Sequence, residues 1–169
     1  LTALQQRGWE IDLLDIRRDG AIDLGQLREL LRPDTTLLAV TAVDSELGTV
    51  QPLDQIREIL KDFPRCRLHV DATQAVGRIG LSFDGIDTLS LAPHKLGGIN
   101  GSGLLLKREA LVIEPLLHGG ASTTIYRSGT PALALAASTE TALRLALERR
   151  EETFRHVQAL NGRLREALS

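Results

Sequence analysis

The sequence predicts an α/β three-layer sandwich built on a mostly parallel sheet and ending in a long helix. Three observations lead there. Strand-like and helix-like segments alternate at short spacing, one strand-like run is apolar on both faces, and the chemically capable residues cluster just after strand ends. Sheets of this kind bind ligands beyond the carboxyl ends of their strands, so those clusters mark where a site belongs.

Taken in order, residues 9–16 read as a short strand. Residues 22–31 read as a helix, because Ile22, Leu24, Leu27, Leu30 and Leu31 fall near helical spacing before the stop at Pro33. Residues 36–43 (TLLAVTAV) form the apolar, β-rich run expected of a strand buried on both faces, and residues 53–63 follow as a helix. Residues 67–71 (RLHVD) and 86–91 (IDTLSL) read as two more strands. Residues 103–107 (GLLLK) read as another strand, antiparallel because the connection before it is too short for a helical crossover. From Pro131 there is no strong breaker until Gly162, and Leu143, Leu147, Phe154, Val157, Leu160, Leu164 and Leu168 trace the apolar stripe of one long helix. The charged run 148–152 fits a solvated face of it.

A chain of 169 residues, 43% hydrophobic and 25% charged, is long enough for one compact domain with a sizeable core. Its 20 basic and 22 acidic residues are intermixed and leave a net charge of -2, without the basic stripe that nucleic-acid phosphates require. The single cysteine, Cys66, excludes an intramolecular disulfide, and no run approaches the roughly 18 apolar residues of a membrane span. A reducing cytoplasm is the expected compartment. The chain has neither an initiator methionine nor a signal pattern, and reads as a segment of a longer protein.

Three clusters follow predicted strand ends: VDSELG at 43–48, HVDATQ at 69–74 and SLAPHK at 90–95, the last with a glycine-rich tail. Lys95 sits where a reactive amine could meet a ligand held against exposed backbone, although a lysine before glycines is more often a plain surface residue. Asp71 at a buried strand end needs a hydrogen-bonded or charged partner. A pyridinium nitrogen would serve, and so would a simple cap on the following turn. His69, Asp71 and His94 could in principle make a two-histidine, one-carboxylate metal site, but a strand histidine is more often packed and hydrogen-bonded. Cys66 lies five residues before Asp71, roughly 16 Å along a strand at about 3.3 Å per residue, which puts it at the wrong end of the sheet for chemistry. His118 reads as a loop residue.

VDATQAVG at 70–77, PHKLGG at 93–98, RSGT at 127–130 and VDSELGTVQP at 43–52 together resemble, in order, the cysteine desulfurases of the class V aminotransferase family. The resemblance runs from about residue 8 to about residue 150. It implies pyridoxal 5'-phosphate as cofactor, with Lys95 bonded to its aldehyde, Asp71 paired with its ring nitrogen, Gln74 on its phenolic oxygen and His94 on its phosphate. Thr130 would reach the phosphate in a neighbouring subunit, implying a homodimer, with Arg127 supporting that loop and Ser45 near the cofactor. L-cysteine would be the substrate, and a sulfur-acceptor or scaffold protein a further partner in iron-sulfur or thio-cofactor assembly. Residues 1–130 would be the central part of the cofactor-binding large domain, and 131–169 a long helix leading towards a small domain. The chain alone is then not expected to turn over.

This sequence departs from the pattern at Asp44 and Ser45, where asparagines are usual, at Ala92, where a phosphate-binding serine is usual, and in the loop 121–124. Two alternatives therefore stay open: another class V enzyme, such as an aminotransferase or amino-acid lyase, and a non-catalytic α/β dimerisation module.

Overall fold

The computed structural model describes residues 2–120 and 124–169. A single turn, α1 (Thr2–Gln5), opens the chain. No strand forms over residues 9–16. An isolated bridge between Ile16 and Ile22 is all that stands there, and Trp9, Leu13 and Ile16 are exposed. Strands are stabilised by their neighbours more than by propensity, and this run has none beside it among the described residues. The helix α2 (Leu24–Leu30) starts later than the apolar spacing indicates because Asp23 caps it, its carboxylate accepting from the amides of Gly25 (2.8 Å) and Gln26 (3.1 Å). In α3 (Leu53–Leu60) the residues Leu53, Ile56 and Ile59 form the buried face.

Four strands make the sheet in the order β1 (Leu37–Thr41), β2 (Arg67–Asp71), β3 (Thr88–Leu91) and β4 (Leu104–Lys107). The first three are parallel and β4 runs antiparallel to β3, as its short connection requires. Register sets Thr41 beside Asp71 and Asp71 beside Ser90, so the three parallel strands end level. Pairing continues one step further, with the amide of Ala42 donating to the Asp71 carbonyl and that of Ala72 to the Ser90 carbonyl, each at 2.8 Å.

Side-chain alternation divides the sheet. Leu38, Val40, Leu68, Val70, Leu89 and Leu91 turn to one face and join Leu27 of α2 and Ile56 and Ile59 of α3 in a single core. The opposite face carries Leu37, Ala39 and Thr41, all exposed, and the half-buried His69, Asp71, Thr88 and Ser90. The α/β class and the mostly parallel sheet are as expected. Among the described residues, though, no helix buries the face that bears Asp71.

The expected single long helix is two, α4 (Leu133–Glu148) and α5 (Arg150–Leu168), divided at Arg149, whose ψ of 5° leaves the helical range. The division falls where packing stops: α4 buries Thr139 and Ala142, whereas α5 buries nothing. Gly162 does not end α5, since a lone glycine costs a helix only about 1 kcal/mol.

Where β1 leaves the sheet, a bridge between Val43 and Val50 closes a tight loop. Inside it the Asp44 carboxylate accepts from the amides of Glu46 (2.9 Å) and Leu47 (2.7 Å), and Gly48 supplies the positive φ of 71°. The Leu47 and Glu46 amides hold the Asp44 carboxyl below its ordinary range. Gln51, buried, ties this loop to the preceding segment by accepting from the Ile22 amide and donating to the Gly20 carbonyl, both at 2.9 Å.

Two predictions follow from this packing. Ile56→Ala should cost about 2–5 kcal/mol in urea denaturation, and Leu37→Ala, on the open face, less than about 1 kcal/mol. Asp44 has its ordinary value of 3.8 when unfolded and a lower one when folded, so its contribution is complete above 3.8 and fades as pH falls through the depressed value. An NMR titration of the Asp44 carboxyl should have its midpoint below 3.8. In Asp44→Ala the Glu46 and Leu47 amides should exchange faster at neutral pH.

Candidate functional site

The level strand ends place the candidate residues on one edge of the sheet. β2 delivers Asp71 and, three residues on, Gln74, both half-buried. β3 delivers the one-turn 3-10 helix Pro93–Leu96, which carries His94 and Lys95, both exposed. β1 delivers the Asp44 loop with Ser45 exposed on it. The convergence of the three clusters anticipated from sequence is therefore present.

The turn bearing Lys95 is short for local reasons. Pro93, buried, starts it, and Gly97 ends it with a φ of 88°. The amides of Gly97 and Gly98 both donate to the Pro93 carbonyl, the latter at 3.0 Å. Against this turn lies α4. A Cβ added to Gly98 would sit 3.1 Å from the Pro93 carbonyl oxygen and 3.2 Å from Ala142 Cβ, so the space admits glycine alone without displacement. Ser138 and Thr139 fasten the glycine-rich tail to the same helix: Ser138 Oγ accepts from the Ile99 amide (3.1 Å), and Thr139 Oγ1 pairs with Ser102 Oγ (3.1 Å).

Asp71 does what the bland alternative foresaw, accepting from the Thr73 amide at 2.9 Å through one oxygen. Among the described residues no cation lies within ion-pairing distance of its charge, nor does any carboxylate pair with the Lys95 ammonium. A half-buried acceptor and an accessible amine, each without an ionic partner, stand on adjacent strand exits. That donor set suits a ring with a protonated nitrogen and a reactive aldehyde, and so fits pyridoxal 5'-phosphate.

His69 is the packed histidine of the simpler reading. Its Nδ1 bonds Thr88 Oγ1 (2.8 Å) and its Nε2 bonds Ser90 Oγ (3.2 Å), so both ring nitrogens are engaged across the β2–β3 pair. No group of three or more metal-ligating side chains occurs among the described residues. Cys66 is 6% exposed at the start of β2, the end opposite Asp71. Burial, reinforced by Asp87, pushes its thiol up, away from nucleophilic character at neutral pH. Thr130 and Arg127 are exposed ahead of α4, and Thr130 makes no hydrogen bond to Asp71, Gln74, His94 or Lys95. Residues 121–123 of the divergent loop lie outside the described residues. His118 is a loop residue, as expected.

Sequence reasoning missed Arg78. Its guanidinium donates through Nη2 to the Lys95 carbonyl (2.9 Å) and through Nη1 to the Thr73 carbonyl (3.2 Å). The one signal available was a basic residue directly after the glycine that ends VDATQAVG.

Comparison with known proteins agrees with this geometry. A mitochondrial cysteine desulfurase of Arabidopsis thaliana is 36% identical over 95% of this chain, which covers 36% of that protein. The solved structure of a NifS-like protein superposes with a TM-score of 0.94 at 30% identity, over 99% of this chain and 47% of that one. That of SspA in complex with cysteine gives a TM-score of 0.77 at 34% identity, over 85% of this chain and 42% of that one. The chain thus spans between a third and a half of these relatives. Residues 1–169 match the aminotransferase class-V family throughout, and the chain belongs to that family, whose cofactor is pyridoxal phosphate.

Proposed function

We propose that the protein of which this chain forms part is a cysteine desulfurase, converting L-cysteine to L-alanine and passing the sulfur on for iron-sulfur cluster or thio-cofactor assembly. The observation that carries this reading is that Asp71 and Lys95, each without an ionic partner among the described residues, stand on the exits of adjacent parallel strands. The named relatives supply the choice of cysteine.

When bound, the cofactor supplies an aldehyde and an electron-withdrawing ring that accepts the electron pair released from the amino acid. Lys95 Nζ would hold the cofactor through that aldehyde and would serve as the base that takes up and returns the substrate's proton. Asp71, its carboxylate oriented by the Thr73 amide, would accept the hydrogen bond of the protonated ring nitrogen. Gln74 would donate to the phenolic oxygen and His94 would meet the phosphate. Ala92 offers the phosphate no hydroxyl, which gives more weight to Thr130. The RSGT motif at 127–130, as it is used in the family, assigns Thr130 to the phosphate of a second copy, in a homodimer. Ser45 lines the cofactor's rim from the β1 loop. Residues 1–130 belong to the large domain and 131–169 lead out of it. A sulfur acceptor docks from outside, and a reducing compartment such as the cytoplasm suits the single buried thiol. Among the described residues no helix is long and apolar enough to cross a membrane.

Asp44 favours a second reading, another reaction of the same class. Its carboxylate shapes its own loop, so the contact usually made by an asparagine there is replaced. Sulfide release from cysteine, measured against amino-group transfer to a keto acid, separates the two.

In the full-length protein Lys95→Ala should abolish the yellow absorbance of the lysine-bound cofactor and lower turnover by at least about 10²–10⁴-fold. Borohydride reduction of wild type should label Lys95. Retained colour and activity in the variant would overturn the assignment.

A further inference from the structure

Asp71 and Lys95 must be held at a fixed separation to grip the two ends of one rigid ring, yet they sit on different loops. The pairing of β2 with β3, from His69 with Thr88 to Asp71 with Ser90, reaches one step further through the Ala72 amide on the Ser90 carbonyl and then stops where the two turns begin. The Lys95 carbonyl lies at the end of a one-turn helix, where carbonyls have no partner within the helix. Arg78 fills that role. One guanidinium nitrogen takes the Lys95 carbonyl at 2.9 Å and another takes the Thr73 carbonyl at 3.2 Å, while the Thr73 amide holds the Asp71 carboxylate at 2.9 Å. A continuous chain of hydrogen bonds therefore runs from the Asp71 carboxylate through Thr73 and Arg78 to the backbone of Lys95.

The position of Arg78 is itself constrained. Gly77 has a φ of 74°, and a Cβ there would fall 2.7 Å from Ala146 Cβ, so the chain reverses against α4 just before the arginine. Ala142 meets Gly98 one helical turn earlier on the same helix. The two glycine turns rest on one stripe of α4, and Arg78 spans between the loops. Among the described residues it has no carboxylate partner, so its donors are spent on backbone.

We propose that Arg78 is a positioning residue that clamps the Lys95 turn to the Asp71–Gln74 turn and so sets the spacing of the cofactor's two anchors. The proposal rests on the cofactor reading above. A lysine at this position lacks the planar fork that aims two separate nitrogens at the two carbonyls, and glutamine's amide stands on a stem too short to span both.

The test has two arms. In the full-length protein without cofactor, amide exchange should be about fivefold to tenfold faster at Gly97 and Gly98 in Arg78→Gln, with Arg78→Lys between it and wild type and the β2 amides unchanged. In the full-length protein, Arg78→Gln should bind pyridoxal phosphate about tenfold more weakly and shift the pH at which its colour changes, with borohydride still labelling Lys95 and the melting temperature of the cofactor-free protein little altered. Unchanged exchange and unchanged affinity would overturn the clamp. So would faster exchange spread evenly over the sheet, which marks a general loss of stability. Absence of any label at Lys95 in wild type would overturn the cofactor reading instead, and that outcome is seen before the variants are compared. The exchange arm would then decide whether the clamp exists as backbone geometry.

Discussion

Register between β2 and its two neighbours governs this molecule. A strand shifted by one residue turns every side chain to the opposite face. Asp71 would then enter the core beside Leu27 and Ile56, and Val70 would stand where the carboxylate is now. The apolar residues Leu68 and Val70 fix the register because their burial leaves no second solution, and the placing of Asp71 level with Thr41 and Ser90 is its by-product. The Lys95 turn inherits its place from β3 in the same way. The core thus does chemical work indirectly, by deciding which loops emerge side by side.

The two faces of the sheet divide the labour. α2 and α3 close one face with aliphatic side chains, whereas the other keeps His69, Asp71, Thr88 and Ser90 within reach of solvent. On that polar face the histidine consumes both its nitrogens in bonds to two hydroxyls, a satisfied network that stiffens the β2–β3 pair next to the site. Asp71 is left with only its own turn. A charge so placed is costly unless a partner meets it, which is why the proposed role of Asp71 toward a protonated ring is physically reasonable.

Legibility in the sequence followed the range of the forces. β2 was readable residue for residue, because alternation of Leu68 and Val70 with polar neighbours is a local signal bounded by Pro64 and by the site turn. The antiparallel sense of β4 followed from a connection length. Residues 9–16 had strand composition but, beyond the bridge from Ile16 to Ile22, no partner strand among the described residues, and partnership is not written in a segment's own residues. The break at Arg149 marks where contact with the rest of the fold runs out, which an apolar stripe continuing to Leu168 conceals. The candidate site residues proposed to act through side chains came from their motifs. Arg78 was not, because its partners are two carbonyls, and every residue has one.

The close approach of Gly77 to Ala146 joins positions 69 residues apart in the chain into one unit of variation. Neither can enlarge unless the other yields, and Gly77 has nothing to give up. A branched residue at 146 would therefore be transmitted as a displacement of the reversed turn, and through Arg78 to the lysine. Substitutions on α4 would therefore be felt at the turn that bears Lys95, and variants recovered by selection should carry their compensation along α4 rather than in the loops.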